Sequence, residues 1–423
     1  MYPRRREPIM ARGSELFELC GALRADAEAI LSIHLGVSSG SQASIMARNQ
    51  PRRKIRVGII GVGNWANHGH LRVLALLPEY EVVAVYARRR EAALAASMSF
   101  GVPHIAESVG ALVTRADVDL VAVLTIAPQH EEAVRAAIAA GKNVYCEWPL
   151  TVNSTIAQEL VQLASDAGIR HLVGLQRRMA PTTRYVRDLI NAGLIGKLRS
   201  ARLHVSMNYF QASRGKALRW SVPPENGSGV VNIYAGHFLD MLFAMIGKPT
   251  VVSAVLANQF PAVTIRETGE TLKTTTPDVL AVAGQLRDDA VLSVHIEGGK
   301  RNGSGVQIDI TGDAGDLSIT NTSAFGGVGD DYVIRGASGD NMALQNMPVP
   351  ADYISVSDAK LPSAVLELAS LYEAFARDLD GPTQVTPNFS DATWMHRLIE
   401  AFERSAAHGD RVVIGPETST FGV

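Results

Sequence analysis

The sequence predicts an α/β protein of two domains, the first built on a parallel sheet and the second on a large, open, mainly antiparallel sheet. Three observations support this fold class. Short apolar strands alternate with helical patterns over residues 55–175, long strands follow one another over residues 198–320, and helical patterns return over residues 363–409. Alternating strands and helices form right-handed βαβ units, whereas consecutive strands pair antiparallel.

The composition excludes several classes of protein. With 47% apolar and 19% charged residues, the 423-residue chain is not a disordered one. A net charge of −2 gives no overall field for nucleic acid or an acidic membrane. The longest apolar run, Leu120 to Pro128, is far shorter than the roughly 20 residues of a membrane span. Two cysteines, Cys20 and Cys146, cannot form a disulfide framework, so we expect a cytoplasmic protein.

Both ends of the chain lack these patterns. Residues 1–54 begin with Arg4-Arg5-Arg6, but no apolar segment typical of a secretory or twin-arginine signal follows. A weak helical pattern then passes into a Ser- and Gly-rich stretch at 38–42. We expect residues 1–54 to be a loosely ordered extension, with Met46 as an alternative start, and residues 416–423 to be a tail.

The elements of the first half define a domain over residues 55–175. Strands are predicted at 55–60, 82–86, 120–125, 144–146 and 170–174. Helices are predicted around 71–77 and at 91–100, 131–140 and 156–167. This alternation predicts a parallel sheet with helices on its faces.

A glycine turn joins the first strand to its helix. Gly61 permits a tight turn, Gly63 lets the backbone approach a pyrophosphate, and the small Ala66 lets helix and strand pack closely. Asn64 and Trp65 complete the turn. Because the turn lies between a strand and a helix, it predicts a dinucleotide-binding domain of the Rossmann type.

The residues after the second strand bear on which dinucleotide binds. A carboxylate that would hold the adenosine ribose is expected there, but the chain reads Arg88-Arg89-Arg90 before Glu91. Arginine accepts a 2′-phosphate that a carboxylate would repel. We therefore expect Arg88 and Arg89 to favour NADP, with NAD and a solvated charge run as the alternatives.

The second domain is predicted over residues 176–415. A helix from Pro181 to Asn191 precedes strands at 198–208, 251–258, 279–285, 291–297, 306–312 and 316–320. One helix, 231–246, interrupts the strands, and the helices over 363–409 are expected to pack back on the protein.

These motifs together resemble the glucose–fructose oxidoreductase, inositol dehydrogenase and MocA family over about residues 55–415. The resemblance rests on five stretches: the glycine turn, Lys142-x-Val144-x-Cys146-Glu147-x-Pro149, Arg178-x-x-Pro181 with Asn191-Ala192-Gly193-x-Ile195-Gly196, Gly236-His237-Phe238-Leu239-Asp240, and the closing helix from Leu398 to Gly409. It implies a Rossmann domain followed by a domain whose open sheet carries substrate on one face and often an oligomer contact on the other.

Two positions depart from the family pattern. The family's lysine beside the nicotinamide is Trp148 here, and its aspartate four positions before the histidine is Ile233. Neither side chain exchanges a proton. The chain is similar here to the galactose-regulon co-repressor subgroup, which has Glu-Trp where the enzymes have Glu-Lys. Trp148 either stacks on the nicotinamide or substrate, or fills the space that the lysine left.

The remaining candidate side chains lie at the predicted cleft. His237, with Asp240 at i+3 to fix its tautomer, is the best remaining general base. Arg178 and Lys300 are candidates for substrate contacts, with a surface position as the alternative. The resemblance places the cofactor against Glu147, Trp148 and Pro149. His130, with Ala127 and Pro128, follows the strand at 120–125, at the edge where dinucleotides bind.

Two functions remain open. One is an NADP-preferring oxidoreductase acting on a sugar, polyol or related polyhydroxylated compound. The other is a dinucleotide-binding regulator that has lost catalysis. His68 and His70 lack a second group of ligands, so no metal site is expected. We expect a small-molecule substrate, a homo-oligomer (dimer or tetramer) formed through the second sheet, and neither nucleic acid nor membrane as partner.

Overall fold

A computed structural model describes residues 53–303, 305–356 and 360–415. The expected tail at 416–423 and all but the last two residues of the expected extension lie outside the described residues. The chain divides into Met1–Arg53 and Lys54–Val423, and every element below belongs to the second unit.

The first sheet has six parallel strands. They are β1 (Ile55–Ile60), β2 (Tyr80–Tyr86), β3 (His104–Ile105), β4 (Leu120–Val123), β5 (Asn143–Cys146) and β6 (His171–Val173). Their order is β3-β2-β1-β4-β5-β6, so the direction of winding reverses between β1 and β4. Ligands of open parallel sheets bind beyond the carboxyl ends of the strands at such a reversal. The predicted Rossmann topology is confirmed.

Helices cover both faces of this sheet. They are α1, a π-helical turn (Ala66–His70) continued by an α-helix (Leu71–Leu76), α2 (Arg90–Phe100), α3 (Val109–Val113), α4 (His130–Ala139) and α5 (Ser154–Asp166). Asn153 caps α5 by accepting a hydrogen bond from the amide of Ile156. The sequence patterns did not reveal β3 or α3, which are two and five residues long.

The second domain contains a nine-stranded sheet and a small three-stranded one. The strands are β7 (Leu198–Ser206), β8 (Ser213–Arg214), β9 (Val251–Ala257), β10 (Ala262–Ile265), β11 (Thr271–Lys273), β12 (Val279–Gln285), β13 (Val291–Glu297), β14 (Gly305–Gly312), β15 (Gly315–Asn321), β16 (Val333–Ser338), β17 (Gln345–Asn346) and β18 (Val412–Val413). The large sheet has the order β17-β16-β15-β14-β7-β13-β12-β9-β18. Only its β7–β13 pair is parallel among the described strands, so the prediction of a mainly antiparallel sheet is confirmed.

One face of the large sheet is buried and the other is open. Leu203 and Val205 on β7 and Val294 and Ile296 on β13 are at most 2% exposed. The alternating side chains of the same strands, such as Arg202 and His295, point to the opposite, exposed face. This period of two is typical of an antiparallel sheet with one solvated face.

Four helices of the second half complete the described fold. They are α6 (Pro181–Asn191), α7, a π-helical turn (Val230–Ala235) continued by an α-helix (Gly236–Ile246), α8 (Ser363–Asp380) and α9 (Phe389–His408). α8 packs against α1, whereas α9 packs against α5 and β9. The helical stretch Pro224–Ile246 is long and apolar enough to cross a membrane, but 67% of its most apolar window is buried inside the protein, as in a core helix.

Candidate active site

The glycine turn after β1 leaves room for a ligand. Gly61 has a φ of 97°, and a Cβ there would lie 2.9 Å from the carbonyl oxygen of Leu124. A Cβ on Gly63 would instead meet no atom within 4 Å. The side chain of Asn67 holds the turn by donating to the carbonyls of Val62 and Gly63, at 2.8 and 2.9 Å. This open cradle at the start of a helix fits the pyrophosphate of a dinucleotide.

Asn64 and Trp65 differ in what they offer at this turn. Asn64 is exposed, and its carbonyl accepts a hydrogen bond from the His68 ring at 3.0 Å. The Trp65 indole packs back on α1, where Gly69 leaves space for it and where it meets the His70 ring edge-on at 5.9 Å. Only the backbone of Trp65 is therefore placed to meet a cofactor.

A cleft of about 310 Å³ opens at the carboxyl end of β2. Its walls include Tyr86, Arg88, Arg90 and, as the acidic member, Glu107. Arg89, which the sequence analysis placed at the cofactor, precedes α2 as its N-cap residue and does not line this cleft. Arg90, the first residue of α2, lines the cleft instead.

The turn after β4 is held by a buried histidine. His130 is 1% exposed, and its Nδ1 and Nε2 lie 2.9 Å from the Pro149 carbonyl and 3.0 Å from the Thr125 carbonyl. Burial lowers the pKa of His130, so the ring is neutral and donates from one nitrogen at a time. His130 therefore fastens the Ala127–Gln129 turn to Pro149, and both of its ring nitrogens are engaged by backbone carbonyls.

Glu147 lies in a buried hydrogen-bond network that joins the two halves of the chain. Its Oε1 accepts from His70 Nε2 and from the Tyr145 hydroxyl, both at 2.7 Å. His70 Nδ1 lies 2.8 Å from the hydroxyl of Tyr372 on α8. Burial works to raise the pKa of Glu147, but the hydrogen bond and charge of His70 hold it below its usual value. Because an ionised Glu147 only accepts, the Nε2 of His70 carries a proton and donates it to Glu147.

Trp148 fills the position of the family's lysine with a packed side chain. It is 4% exposed, and its Nε1 donates to the Asn232 carbonyl at 2.7 Å. The indole lies against His396 at 4.7 Å between ring centroids, and a Cβ on Gly236 would collide with it. Burial lowers the pKa of His396 to about 3, so its ring is neutral. Of the two interpretations, the geometry favours the space-filling one over stacking on cofactor or substrate.

His237 is the second residue of the α-helical part of α7 and follows Gly236, which lies against the Trp148 indole. Its Nδ1 is buried without a hydrogen-bond partner among the described residues. Burial, and then the positive charge of Arg177, lower the pKa of His237 to about 4 against the opposing charge of Glu147. The predicted pairing with Asp240 is not found in the structure, because that carboxylate binds Arg178 instead.

Arg178 is committed to two carboxylates. It binds Asp240 at 3.1 and 2.5 Å and Asp391, at the start of α9, at 3.0 Å. Asp240 is 3% exposed in this ion pair. Burial works to raise the pKa of Asp391, but the charge of Arg178 keeps it below its usual value. Arg178 and Asp240 therefore join α7 to α9, and their roles in substrate binding and catalysis stay predictions.

Lys300 also differs from its expected role. Its Nζ lies 3.5 Å from Glu297, which in turn lies 3.3 Å from His204 on the open face of the large sheet. The Lys300 side chain is 38% exposed, which agrees with the surface position that was the alternative for this residue. Among the described residues, no three His, Cys, Asp or Glu side chains converge as metal ligands.

Several polar side chains of this region were missed in the sequence analysis. Thr125 Oγ1, after β4, and Gln176 Oε1 are buried without a partner in the described residues. Asn232, whose carbonyl accepts from Trp148, and Tyr234, which packs on Phe210 and Phe325, are half-buried. Thr125 was detectable from its place at the end of a parallel strand. No local pattern marks the other three.

Two family models match this architecture. Residues 55–175 match the oxidoreductase family with an NAD-binding Rossmann fold, and residues 181–321 match the C-terminal domain of Gal80p. The first domain therefore matches the oxidoreductase family of glucose–fructose oxidoreductase, inositol dehydrogenase and MocA, and the second domain matches its Gal80-like subgroup. Both matches confirm the resemblance seen in the sequence.

Both enzymes and regulators of this family are similar to the chain. The dehydrogenase aclE of Aspergillus oryzae is 28% identical over 84% of this chain and 97% of its own length. A super-repressor mutant of Gal80p from Saccharomyces cerevisiae has a TM-score of 0.76 at 20% identity, over 86% of this chain and 98% of its own. A levoglucosan dehydrogenase in complex with NADH and L-sorbose has a TM-score of 0.74 at 21% identity, over 87% of this chain and 100% of its own. The structural likenesses establish the fold.

Proposed function

We propose that the protein is an NAD(P)-dependent oxidoreductase that acts on a sugar, polyol or related polyhydroxylated compound. The observation that carries the proposal is His237, whose Nδ1 is buried without a partner in the described residues and whose lowered pKa of about 4 keeps the ring neutral. Within the described site, His70, His130 and Glu147 are each engaged by protein groups.

In the proposed mechanism, His237 accepts the proton of a substrate hydroxyl. A dinucleotide would be held at the Gly63 cradle and would supply the acceptor for the hydride. The ionised Glu147 stabilises the imidazolium that forms, whereas Arg177 opposes it. Because the imidazole is neutral at pH 7, it is ready to accept a proton rather than to donate one.

We propose NADP as the preferred dinucleotide. Arg88 and Arg90 both line the cleft at the end of β2, where the adenosine ribose of a dinucleotide lies in this topology. Two guanidinium groups attract a 2′-phosphate more strongly than the single carboxylate of Glu107 repels it.

The competing proposal is a dinucleotide-binding regulator without catalysis. The specific observation in its favour is Trp148, which fills the lysine position with a packed indole, while Ile233 replaces the aspartate. Regulators such as Gal80p share the C-terminal domain.

One experiment separates these proposals. The purified chain is mixed with NAD⁺ or NADP⁺ and a panel of sugars and polyols, and the absorbance of reduced nicotinamide is followed. Turnover supports the enzyme. Tight dinucleotide binding without turnover on any compound overturns it in favour of the regulator.

Self-association and location are further parts of this proposal. The open face of the large sheet is the surface we propose for a homo-oligomer, formed in the cytoplasm. Analytical ultracentrifugation of wild type and Arg202→Glu tests the surface, because Arg202 is exposed on that face and pairs with Asp309 at 2.6 Å. A monomeric wild type would contradict it.

A further inference from the structure

Two histidine rings lie side by side on the open face of the large sheet. His204 on β7 and His295 on β13 are directly paired in the parallel ladder between these strands. Their rings are stacked, with centroids 5.2 Å apart and planes 13° from parallel. His295 is exposed, and the His204 side chain is 27% exposed. The pair therefore presents two imidazole rings to solvent, and imidazole is the commonest metal ligand among side chains.

The neighbours of the pair leave ring nitrogens free to bind a metal. Glu297 Oε1 lies 3.3 Å from His204 Nε2, and Lys300 Nζ lies 3.5 Å from the same carboxylate oxygen. Because a carboxylate only accepts, His204 Nε2 donates to it, and Nδ1 of the neutral ring keeps its lone pair. A carboxylate that orients a histidine in this way is typical of metal sites. The His295 ring has no hydrogen-bond partner in the described part of the chain.

The pair lies in the middle of a row of side chains that crosses the open face. Residues paired from strand to strand share one face of a sheet, so the registers of the ladders define this row. Its seven members, in order across the sheet, are Val255, Ala281, His295, His204, Gln307, Thr320 and Val333. The valines at its two ends are 64% and 42% exposed. Exposed apolar side chains on either side of a polar pair suit a contact with another protein surface.

One chain supplies too few ligands for a complete site. Zinc in proteins takes four ligands in a tetrahedron, and imidazole nitrogen is among its preferred donors. No third His, Cys, Asp or Glu side chain of the described residues converges with the pair as a metal ligand. In a two-fold symmetric dimer the same surface of both copies meets. An axis through the middle of the row therefore brings two such pairs together, so that four imidazoles surround one ion.

The charged side chains beside the pair are matched within the chain. Arg202, two residues before His204 on the same strand, binds Asp309 at 2.6 Å. Lys300 pairs with Glu297. Neither cation has to approach a bound metal ion without its own carboxylate.

We propose that His204 and His295 form half of a divalent transition-metal site, which a second copy of the chain completes when two open faces meet. The site takes one ion per two chains, held by four imidazole nitrogens. This inference rests on the self-association proposed for the same face, and it adds the ion that joins the two copies.

The test uses the full chain, stripped of metal with EDTA, and Zn²⁺ alone as the probe. Isothermal titration calorimetry should give one zinc per two chains, and sedimentation velocity should show dimers that EDTA dissociates. At a free zinc concentration about ten times its Kd, the dimer association constant should rise about tenfold, because only the dimer holds the complete site. Co²⁺ in place of Zn²⁺ should give the visible absorption bands of a tetrahedral site.

Two variants and a matched control decide which side chains bind the ion. His295→Gln and His204→Gln should each abolish the zinc response, because glutamine keeps a polar side chain but is not a zinc ligand. Circular dichroism checks that both variants fold. His104→Gln is the control, because the exposed His104 also lies beside a carboxylate, 3.8 Å from Asp117, but stacks on no second histidine among the described residues. Its zinc response should equal that of wild type.

The outcomes separate this inference from the self-association on which it rests. Dimers that form equally in zinc and in EDTA overturn the metal site while the sheet contact stands. A chain that is monomeric in EDTA and dimeric in zinc supports the metal site, although association without metal fails. One zinc per chain without dimers, a zinc response kept in both glutamine variants, or a chain that stays monomeric throughout overturns the metal site. None of these results depends on turnover, so the oxidoreductase is tested independently.

Discussion

The glycine turn after β1 and the Trp148 position after β5 lie on the same edge of the parallel sheet, yet one leaves space and the other fills it. At Gly63 an added Cβ would meet nothing within 4 Å, whereas at Trp148 the indole is 4% exposed and bonded to Asn232. The glycine turn needs only its backbone geometry to bind a ligand. The Trp148 indole occupies the place of a proton-transfer group. Catalysis then depends on whether His237 can transfer the proton in place of the family's lysine, whose position Trp148 occupies.

Filling the open glycine turn should give the largest effect, a loss of dinucleotide binding. Gly63→Val puts a branched side chain into the cradle, so dinucleotide affinity should fall below detection while the fold survives, because no protein atom is displaced. Isothermal titration calorimetry measures the binding and circular dichroism the fold. Gly110→Val, at an exposed position of α3, is the control and should bind normally. Unchanged affinity in Gly63→Val would place the dinucleotide elsewhere.

The second prediction concerns His237, in the region where Trp148 fills the lysine position. His237→Ala should lower kcat by about 10²–10⁴ with little change in dinucleotide Kd, because the ring serves the substrate. The sequence alone suggested an ordinary histidine titrating near its usual pKa of about 6.5. Since only the neutral ring accepts a proton and the pKa is lowered to about 4, the rate should instead be flat from pH 6 to 8 and fall as the pH drops through about 4.

The pH profile of kcat with the best substrate checks this prediction. His204→Ala, on the open face of the large sheet, is the matched control and should leave both rate and profile unchanged. A wild-type profile that rises between pH 6 and 7, or a His237→Ala variant as fast as wild type, would show that another group takes the proton.

The third prediction tests whether Arg178 serves stability rather than substrate. Arg178→Ala leaves Asp240, 3% exposed, without its cation, and should lower the free energy of unfolding by about 3 kcal/mol. Urea denaturation measures the loss. Asp240→Asn combined with Arg178→Met removes both charges and should recover part of it. A variant Arg178→Ala as stable as wild type, but with a raised KM, would restore the substrate role.

These cases show which features the sequence could predict. The roles of Gly61 and Gly63 follow from local backbone needs, and the strands around them from their apolar patterns, so both were predictable. Arg178, Asp240 and Asp391 come from three separate segments, and Tyr372 reaches His70 across 302 positions of the chain. No local pattern encodes such pairings. For the same reason the sequence did not reveal that His130 binds the Pro149 carbonyl or that Arg178 binds Asp240.

The smallest expected effect concerns the preference for NADP over NAD at the cleft beyond β2. Arg88→Ala should weaken NADP binding about tenfold and NAD binding much less, because only NADP carries the 2′-phosphate that a guanidinium binds. Arg90→Ala should behave alike, whereas Arg89→Ala should not, since Arg89 does not line the cleft. Glu107→Gln should strengthen NADP binding by removing the one acidic group in the wall. Calorimetric titrations with both dinucleotides measure these differences, and equal losses for NAD and NADP in Arg88→Ala would mean that the arginines are an ordinary solvated charge run.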